Sequence, residues 1–190
     1  MEKLHADIIV DAKGLACPMP IVKTKKVMKE VQSGNVVEVQ ATDKGSRADL
    51  QAWAHSAGHQ YLGTLEEGDV LKHFLRKATE EEQFVQTHPS ISNNQELEKK
   101  LAANDNIVVL DVREAAEYAF NHIPEAKSIP LGDLDARSKE LNRDDEIYVV
   151  CRTGSRSDLA AQKLTNLGFS KVINVVPGMS EWTGKTETLK

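Results

Sequence analysis

The sequence predicts two α/β domains: a two-layer sandwich with the order β-α-β-α-β-β, followed by an α/β domain with a mainly parallel central sheet. Three observations support this prediction. Short β-branched runs alternate with segments of helical apolar spacing along both halves of the 190-residue chain. Only the first half ends in a hairpin pattern, two apolar runs around Glu-Glu-Gly-Asp. An acidic, polar stretch with a proline near its end lies between the halves.

These patterns place the two domains at residues 1–77 and 91–190. The stretch between them, residues 78–90, has the sequence ATEEEQFVQTHPS. It is charged, it shows no apolar periodicity, and its composition is typical of a connection between domains. We therefore expect residues 78–90 to form a linker.

Six elements are expected in the first domain. They are strands at 8–10 and 36–39, helices at 21–31 and 48–57, and hairpin strands at 61–65 and 70–75. Pro18 and Pro20 belong near a helix start, where a missing N–H costs little. Asp43 or Ser46 is placed to cap the second helix. Cys17 is therefore predicted at or just before a helix N-terminus.

The second domain shows strands alternating with helices, which indicates a mainly parallel sheet. Strands are expected at 107–110, within 122–130, at 147–150 and at 171–175, and helices at 94–104, 114–118, 131–141, 159–168 and 178–182. Ser92 or Asn93 is placed to cap the first of these helices. The run Ile107–Leu110 is continuously apolar, as in parallel strands that are buried on both faces.

Cys151 follows an apolar strand and precedes a helix, so it is predicted at the strand's carboxyl end, where ligands bind in open α/β sheets. Backbone N–H groups at a helix start have no intrahelical partner and carry partial positive charge. Thiols in such electropositive surroundings lose their proton readily. We therefore expect a nucleophilic thiolate at Cys151, beside a binding loop for anionic sulfur or oxygen atoms.

The residues of this binding loop are Arg152, Thr153, Gly154, Ser155 and Arg156. The two arginines add positive charge, and the glycine permits a positive φ in a tight turn. The alternative is a cysteine that packs as a small apolar residue. Two arginines, a glycine and a helix start within six residues favour the functional interpretation.

The motif C-R-T-G-S-R-S at 151–157 resembles the active-site loop of single-domain rhodaneses. The resemblance covers about residues 91–184 and includes D-V-R-x-x-x-E-Y at 111–118, H-I-x-x-A-x-x-I-P at 122–130 and G-x-x-x-W at 178–182. It implies that Cys151 takes a sulfane sulfur from a donor and holds it as a persulfide. Tyrosine phosphatases and rhodanese-like phosphatases have five residues between Cys and Arg. This loop has four, which the family implies for sulfur rather than phosphate.

Three residues depart from the rhodanese pattern, since Asn121, Pro124 and Pro177 stand where the family often has glycine. They are expected to alter loop shape without removing the nucleophile. Asp111 and Arg113 are expected to form an architectural ion pair, and His122 to hold a loop by hydrogen bonding.

The first domain resembles the TusA/SirA-like sulfur-carrier family over about residues 6–77. The matching motif is Gly14-Leu15-x-Cys17-Pro18-x-Pro20 between a strand and a helix. The resemblance implies that Cys17 accepts sulfur as a persulfide and passes it on. The alternative, a packed core thiol, is disfavoured by its position at a helix start. That position also predicts that Cys17 ionises near pH 7, as Cys151 does.

We therefore expect a rhodanese-type sulfurtransferase that takes sulfane sulfur from thiosulfate or a small-molecule persulfide onto Cys151. Cys17, or another thiol or sulfur-carrier protein, is the expected acceptor. One alternative is a redox switch based on a reversible disulfide between Cys17 and Cys151. Another is a small phosphatase or arsenate reductase, which the short loop disfavours.

Bulk properties exclude several other classes. Residues 1–77 carry a net charge of +1 and the rest −6, so neither half has the basic excess of a nucleic-acid binder. The longest apolar runs are about five residues, against the ~20 that cross a bilayer, and the N-terminus has no secretory pattern. Two distant cysteines form no disulfide framework, which favours a reducing cytoplasm. No His or Cys spacing suggests a metal site, and no cofactor is expected.

Overall fold

In the computed structural model, which describes residues 4–78 and 87–189, the chain divides into two units, residues 1–80 and 81–190. The first unit contains a four-stranded sheet and two helices. Its elements are β1 (Ile8–Ala12), α1 (Met19–Glu30), β2 (Val36–Ala41), α2 (Ser46–Ser56), β3 (Gln60–Glu67) and β4 (Val70–Arg76). The order β-α-β-α-β-β is the predicted one.

The first sheet has the strand order β1-β2-β4-β3. β1 and β2 are parallel, and the other two pairings are antiparallel. Val37 and Val39 on β2 pack with Met28 of α1 and Leu50 of α2 in one apolar cluster. Both helices therefore cover the same face of the sheet, which confirms the two-layer sandwich.

The second unit alternates strands and helices. Its elements are β5 (Ile91–Asn93), α3 (Asn94–Ala102), β6 (Ile107–Asp111), α4 (Ala115–Phe120), β7 (Lys127–Ser128), α5 (Leu134–Arg137), β8 (Glu146–Val150), α6 (Ser155–Asn166) and β9 (Val172–Val176). The strand order is β5-β9-β8-β6-β7, and every pairing between these strands is parallel. The predicted parallel α/β architecture is confirmed.

Strand β8 lies in the middle of this sheet and is buried on both faces. Ile147 and Val149 join an apolar cluster that includes Leu164 of α6. Tyr148 and Val150, which point the other way, join a cluster that includes Leu97 of α3. Because layers cover both faces, the strand needs the continuous apolar run seen in the sequence. It ends where Cys151 begins.

Three details differ from the sequence-based expectation. β5 was not predicted, since three residues are too few for an alternation signal and Ile91 is exposed. The helix expected at 131–141 is a 3₁₀ turn (Leu131–Asp133), the short α5 and a second 3₁₀ turn (Ser138–Glu140). Apolar residues three apart are compatible with both helix types, so periodicity does not separate them. The helix expected at 178–182 is one 3₁₀ turn, Met179–Glu181.

The predicted linker, residues 78–90, lies partly outside the described residues, which omit 79–86. Its last residues are bonded to the second unit. The backbone N–H groups of Thr87 and His88 donate to the carboxylate of Asp158 on α6 at 3.1 and 2.8 Å. The carbonyl of Ser90 accepts from the backbone of Asn174 on β9 at 2.9 Å. The domain boundaries at 77 and 91 stay a prediction.

Candidate active site

Cys151 lies directly after β8 and four residues before the start of α6, as the sequence predicted. Its side chain is fully buried. The backbone N–H of Gly154 donates to the Cys151 sulfur at 3.1 Å, and the hydroxyl of Ser157 lies 3.3 Å from the same atom. The loop therefore holds the sulfur with a polar group on each of two sides.

Gly154 gives the loop its tight geometry. Its φ is +98°, in the left-handed region that favours glycine. This backbone conformation turns the Gly154 N–H back towards the sulfur of Cys151. The glycine predicted to permit a tight turn therefore brings its own N–H into contact with the Cys151 sulfur.

The other loop residues differ in exposure. Arg152 and Thr153 are half-buried at the surface of the loop, and Ser155 and Arg156 are buried. The hydroxyl oxygens of Thr153 and Ser155 lie 3.4 Å apart. Of these four loop residues, Arg152 and Thr153 are therefore the ones that reach solvent.

The Arg156 guanidinium forms a buried, two-pronged ion pair with Glu117 of α4. The two nitrogen–oxygen distances are 2.7 and 3.0 Å. The positive charge that the sequence analysis assigned to Arg156 is therefore paired with the Glu117 carboxylate inside the protein. The pair instead fixes the start of α6 against α4.

A second loop, residues 177–180, packs against the backbone of the loop that follows Cys151. The backbone N–H groups of Met179 and Ser180 donate to the carbonyls of Cys151 and Arg152, each at 2.8 Å. Gly178 has a φ of +85°, and a Cβ there would lie 2.4 Å from the Cys151 carbonyl oxygen. The contact forms with Pro177 at the preceding position, and position 178 has no room for a side chain.

Cys17 lies between β1 and α1, two residues before the helix begins, and it is exposed. The backbone N–H of Gly14 donates to the Thr42 hydroxyl at 2.9 Å, which holds this segment against the turn before α2. Its position before a helix agrees with the sequence-based prediction. Its electrostatic surroundings do not.

A hydrogen bond to the Asp49 carboxylate raises the pKa of the Cys17 thiol, and partial loss of water contact and the negative charges of Asp49 and Asp43 act in the same direction. The expectation that the helix start lets Cys17 ionise near pH 7 is therefore wrong. The carboxylates come from α2 and the turn before it.

The caps predicted for α2 are absent, since neither Asp43 nor Ser46 caps that helix by a side-chain hydrogen bond. The Ser46 hydroxyl instead donates to the backbone carbonyl of Asp43.

The predicted supporting residues have the expected contacts. Arg113 pairs with Asp111, with a shortest nitrogen–oxygen distance of 2.6 Å, and both side chains are buried. His122 bonds through Nδ1 to the Tyr118 carbonyl at 2.8 Å and stacks on the Tyr118 ring. These groups form the frame of the loops rather than the reacting site.

The sequence-based reasoning missed three residues of the site: Glu117, Ser157 and Asn174. Glu117 is the glutamate of the D-V-R-x-x-x-E-Y motif, so its position was marked although its partner was not. Asn174 is a fully buried amide inside the apolar run Val172–Val176. A polar residue inside a strand that is otherwise apolar was the available signal, because buried polar groups need partners.

Within the ranges 4–78 and 87–189, no group of three or more His, Cys, Asp or Glu side chains is arranged to hold a metal ion. Over the same described part of the chain, none of the helices has the length and apolar character needed to cross a membrane.

Two family models match the chain, one for each unit. The family described as "Sulfurtransferase TusA" matches residues 8–77, and the family described as "Rhodanese-like domain" matches residues 93–185.

Relatives match both the whole chain and its parts. A protein named "Putative sulfur carrier protein YrkF" from Bacillus subtilis is 54% identical over 97% of this chain and 100% of its own length. A second one from the same organism, "Putative sulfur carrier protein YrkI", is 55% identical over 39% of this chain and 99% of its own. Among solved structures, a rhodanese-like domain protein from Staphylococcus aureus aligns with a TM-score of 0.50 and 29% identity, covering 53% of this chain and 99% of that one.

Proposed function

This chain belongs to the sulfur-carrier family that joins a TusA domain to a rhodanese-like domain, and from that membership we propose that it moves sulfane sulfur from a small donor to Cys151 and then to Cys17. The sulfurtransferase class follows from the family. The observation that supports Cys151 as the entry point is its sulfur at the carboxyl end of β8, accepting an N–H from Gly154 at 3.1 Å. A thiolate needs such a donor to persist in a buried site.

In the first step the Cys151 thiolate attacks the outer sulfur of thiosulfate or of a low-molecular-weight persulfide. A new sulfur–sulfur bond forms to Cys151. The donor's own sulfur–sulfur bond breaks, and sulfite or a thiol leaves with the electron pair. Arg152, half-buried at the loop surface, is placed to attract an anionic donor. The Arg156–Glu117 pair keeps the loop in shape while this occurs.

In the second step the sulfur of Cys17 attacks the outer sulfur of the Cys151 persulfide. The bond between the two sulfurs of that persulfide breaks, and Cys151 leaves as a thiolate. Cys17 must give up its proton in this step, and the carboxylate of Asp49, hydrogen-bonded to the thiol, is placed to take it. A downstream thiol or sulfur-carrier protein then accepts the sulfur. Free thiols of this kind require a reducing compartment, so we place the protein in the cytoplasm.

The test is intact mass spectrometry after incubation with thiosulfate, on the wild type, Cys17→Ser and Cys151→Ser. Each persulfide adds about 32 Da. We expect two additions in the wild type and one in Cys17→Ser. Sulfur transfer to cyanide should be abolished in Cys151→Ser and largely retained in Cys17→Ser. A loss of about 2 Da in the wild type, without any addition, would instead support the redox switch.

A further inference from the structure

Four residues around the nucleophile form a closed ring of hydrogen bonds. The Gly154 N–H donates to the Cys151 sulfur at 3.1 Å, and the Ser157 hydroxyl lies 3.3 Å from that sulfur. The Ser157 hydroxyl also contacts Oδ1 of Asn174 at 2.6 Å, and Nδ2 of Asn174 donates to the Gly154 carbonyl at 3.1 Å. Cys151, Ser157 and Asn174 are each fully buried. Water therefore does not compete for these bonds.

The ring determines which way its protons point. The Gly154 carbonyl can only accept, so the Asn174 amide must turn its NH₂ group towards it. Oδ1 of Asn174 then faces Ser157 and can only accept. The Ser157 hydroxyl has a single proton, and the 2.6 Å contact shows that this proton points at Asn174. The Ser157 oxygen is left to face the sulfur of Cys151 with lone pairs.

We propose that Asn174 is a positioning residue for Cys151, acting through Ser157: by holding the only hydroxyl proton of Ser157, it makes that hydroxyl an acceptor towards the sulfur. The thiol form of Cys151 can donate its S–H to this acceptor. The thiolate form meets lone pairs there and keeps only the Gly154 N–H from the ring. Asn174 thus sets how much of Cys151 is ionised at a given pH. The importance of this control for catalysis rests on the proposed function, in which the Cys151 thiolate attacks the donor.

The replacement Asn174→Leu removes both hydrogen bonds of the Asn174 side chain, to Ser157 and to the Gly154 carbonyl, and keeps a side chain of similar length. The Gly154 carbonyl keeps the backbone N–H of Asp158, at 3.2 Å, as a donor. The Ser157 proton, released from Asn174, turns to the sulfur. Hydrogen bonds to a charged acceptor are strong, so the thiolate form gains. We expect the midpoint of Cys151 ionisation to move down by about one pH unit.

The measurement is the ultraviolet absorbance of the thiolate against pH, in a Cys17→Ser background where Cys151 is the single cysteine. No sulfur donor is present, so the result is independent of whether the protein transfers sulfur. Charged side chains on the adjoining elements, namely Arg152, Arg156, Glu117 and Asp158, are unchanged in every variant. Asn166→Leu, at the exposed end of α6, is the matched control and should leave the midpoint in place.

Ser157→Ala separates this proposal from a purely structural role of Asn174. Its effect on the midpoint of Cys151 ionisation should have opposite signs with Asn174 present and in the Asn174→Leu background. With Asn174 present, the alanine removes an acceptor from the thiol, and the midpoint should fall. In the Asn174→Leu background, the alanine removes a donor from the thiolate, and the midpoint should rise. A shift of the same sign in both backgrounds, or an Asn174→Leu midpoint at or above the wild-type value, overturns the proposal. Should Asn174→Leu fail to fold, Ser157→Ala alone decides: a rise shows that the hydroxyl already donates to the sulfur.

Discussion

Two carboxylates raise the pKa of the Cys17 thiol: Asp49 acts through a hydrogen bond and its charge, and Asp43 through its charge. Cys151 has no such neighbour among its hydrogen-bond partners, which are an N–H and a hydroxyl. At the scale of single residues, the two cysteines are therefore unlike. Cys17 is an exposed thiol beside an acid, and Cys151 is a buried sulfur that accepts a backbone N–H from Gly154 and contacts the Ser157 hydroxyl. This difference supports the proposed roles, in which Cys151 takes sulfur from the donor and Cys17 accepts it from Cys151.

Asp49→Asn removes a charge from Cys17 and keeps the shape of the side chain. Because the carboxylate raises the pKa of the thiol, its removal should lower that pKa and increase the thiolate fraction at pH 7. Alkylation of Cys17 by iodoacetamide, measured against pH in Cys151→Ser, should become severalfold faster at pH 7. Asp69→Asn, in the exposed turn between β3 and β4, removes the same charge elsewhere and should change nothing. A slower reaction in Asp49→Asn would contradict this electrostatic account.

Arg152 and Arg156 should differ when each is replaced by alanine. Arg152→Ala should slow reaction with anionic thiosulfate about tenfold more than reaction with a neutral persulfide, because an attracting charge is lost. Arg156→Ala strips the buried Glu117 carboxylate of its two-pronged partner, so it should lower the free energy of unfolding by about 3 kcal/mol and slow all donors alike.

Donor-resolved kcat/KM and urea unfolding check both expectations for the two arginines. The exposed pair Arg137–Glu140 offers a control, since Arg137→Ala should change stability by less than about 1 kcal/mol. Equal slowing of both donors by Arg152→Ala would mean that this side chain shapes the loop and does not attract charge.

At the scale of elements, the loop at 177–180 supports the loop that holds Cys151. Gly178→Ala would place a methyl group 2.4 Å from the Cys151 carbonyl and force a residue with a side chain into a φ of +85°. We expect sulfur transfer to fall at least about tenfold, since small misplacements of reacting groups are costly. Stability should fall by about 2 kcal/mol. Gly132→Ala is the matched control, because a Cβ there meets open space. Unchanged transfer in Gly178→Ala would show that the two loops are not coupled.

In the first unit, His73 on β4 joins three elements. Its ring nitrogens bond to Ser46 at the start of α2 at 2.9 Å and to Tyr61 and Thr64 of β3 at 2.8 and 2.9 Å. Burial, with a smaller contribution from Arg47, lowers the pKa of His73 from 6.5 to about 4. Between those values the unfolded chain binds a proton that the folded unit does not. Stability should therefore rise with pH through this window, and fall by about 2 kcal/mol as pH drops from 6.5 to 4.

The fluorescence of Trp53 in a Trp182→Phe background reports urea unfolding of the first unit alone, since these are the two tryptophans of the chain. His73→Gln should flatten the pH dependence between 6.5 and 4. His55→Gln, on the exposed side of α2, should leave it as it is. An undiminished slope in His73→Gln would assign the pH dependence to other groups.

At the scale of the whole molecule, the proposed relay from Cys151 to Cys17 can run within one chain or between two. When two reacting groups are joined on one chain, each experiences a raised effective concentration of the other. From thiosulfate, Cys17 in Cys151→Ser should therefore load far more slowly than in the wild type. Adding Cys17→Ser, which supplies only Cys151, should speed that loading in proportion to its concentration if transfer between chains occurs. Mass spectrometry of the two proteins follows the sulfur. Equal Cys17 loading with and without Cys151 would leave two independent carriers and no relay.

Much of this protein follows from local sequence. The order of strands and helices, the turn at Gly154 and both cysteines' positions before helices are visible in apolar spacing and in glycine and proline placement. These features depend on residues that are close along the chain, where backbone geometry and side-chain alternation are sufficient. The same patterns did not predict β5 or the division of residues 131–141 into one short α-helix and two 3₁₀ turns. Packing against neighbouring elements, rather than periodicity, decides such short elements.

The sequence by itself determined that two cysteines lie at strand-to-helix junctions and that one is followed by a four-residue loop and an arginine. Only the tertiary structure decided which groups surround them. Arg156 meets Glu117, 39 residues away, and Ser157 meets Asn174, 17 residues away. Asp49 reaches Cys17 from the neighbouring helix. The order of strands brings these partners together, and because charge and hydrogen bonding act through space, the reactivity of each thiol depends on neighbours that its own segment of sequence does not contain.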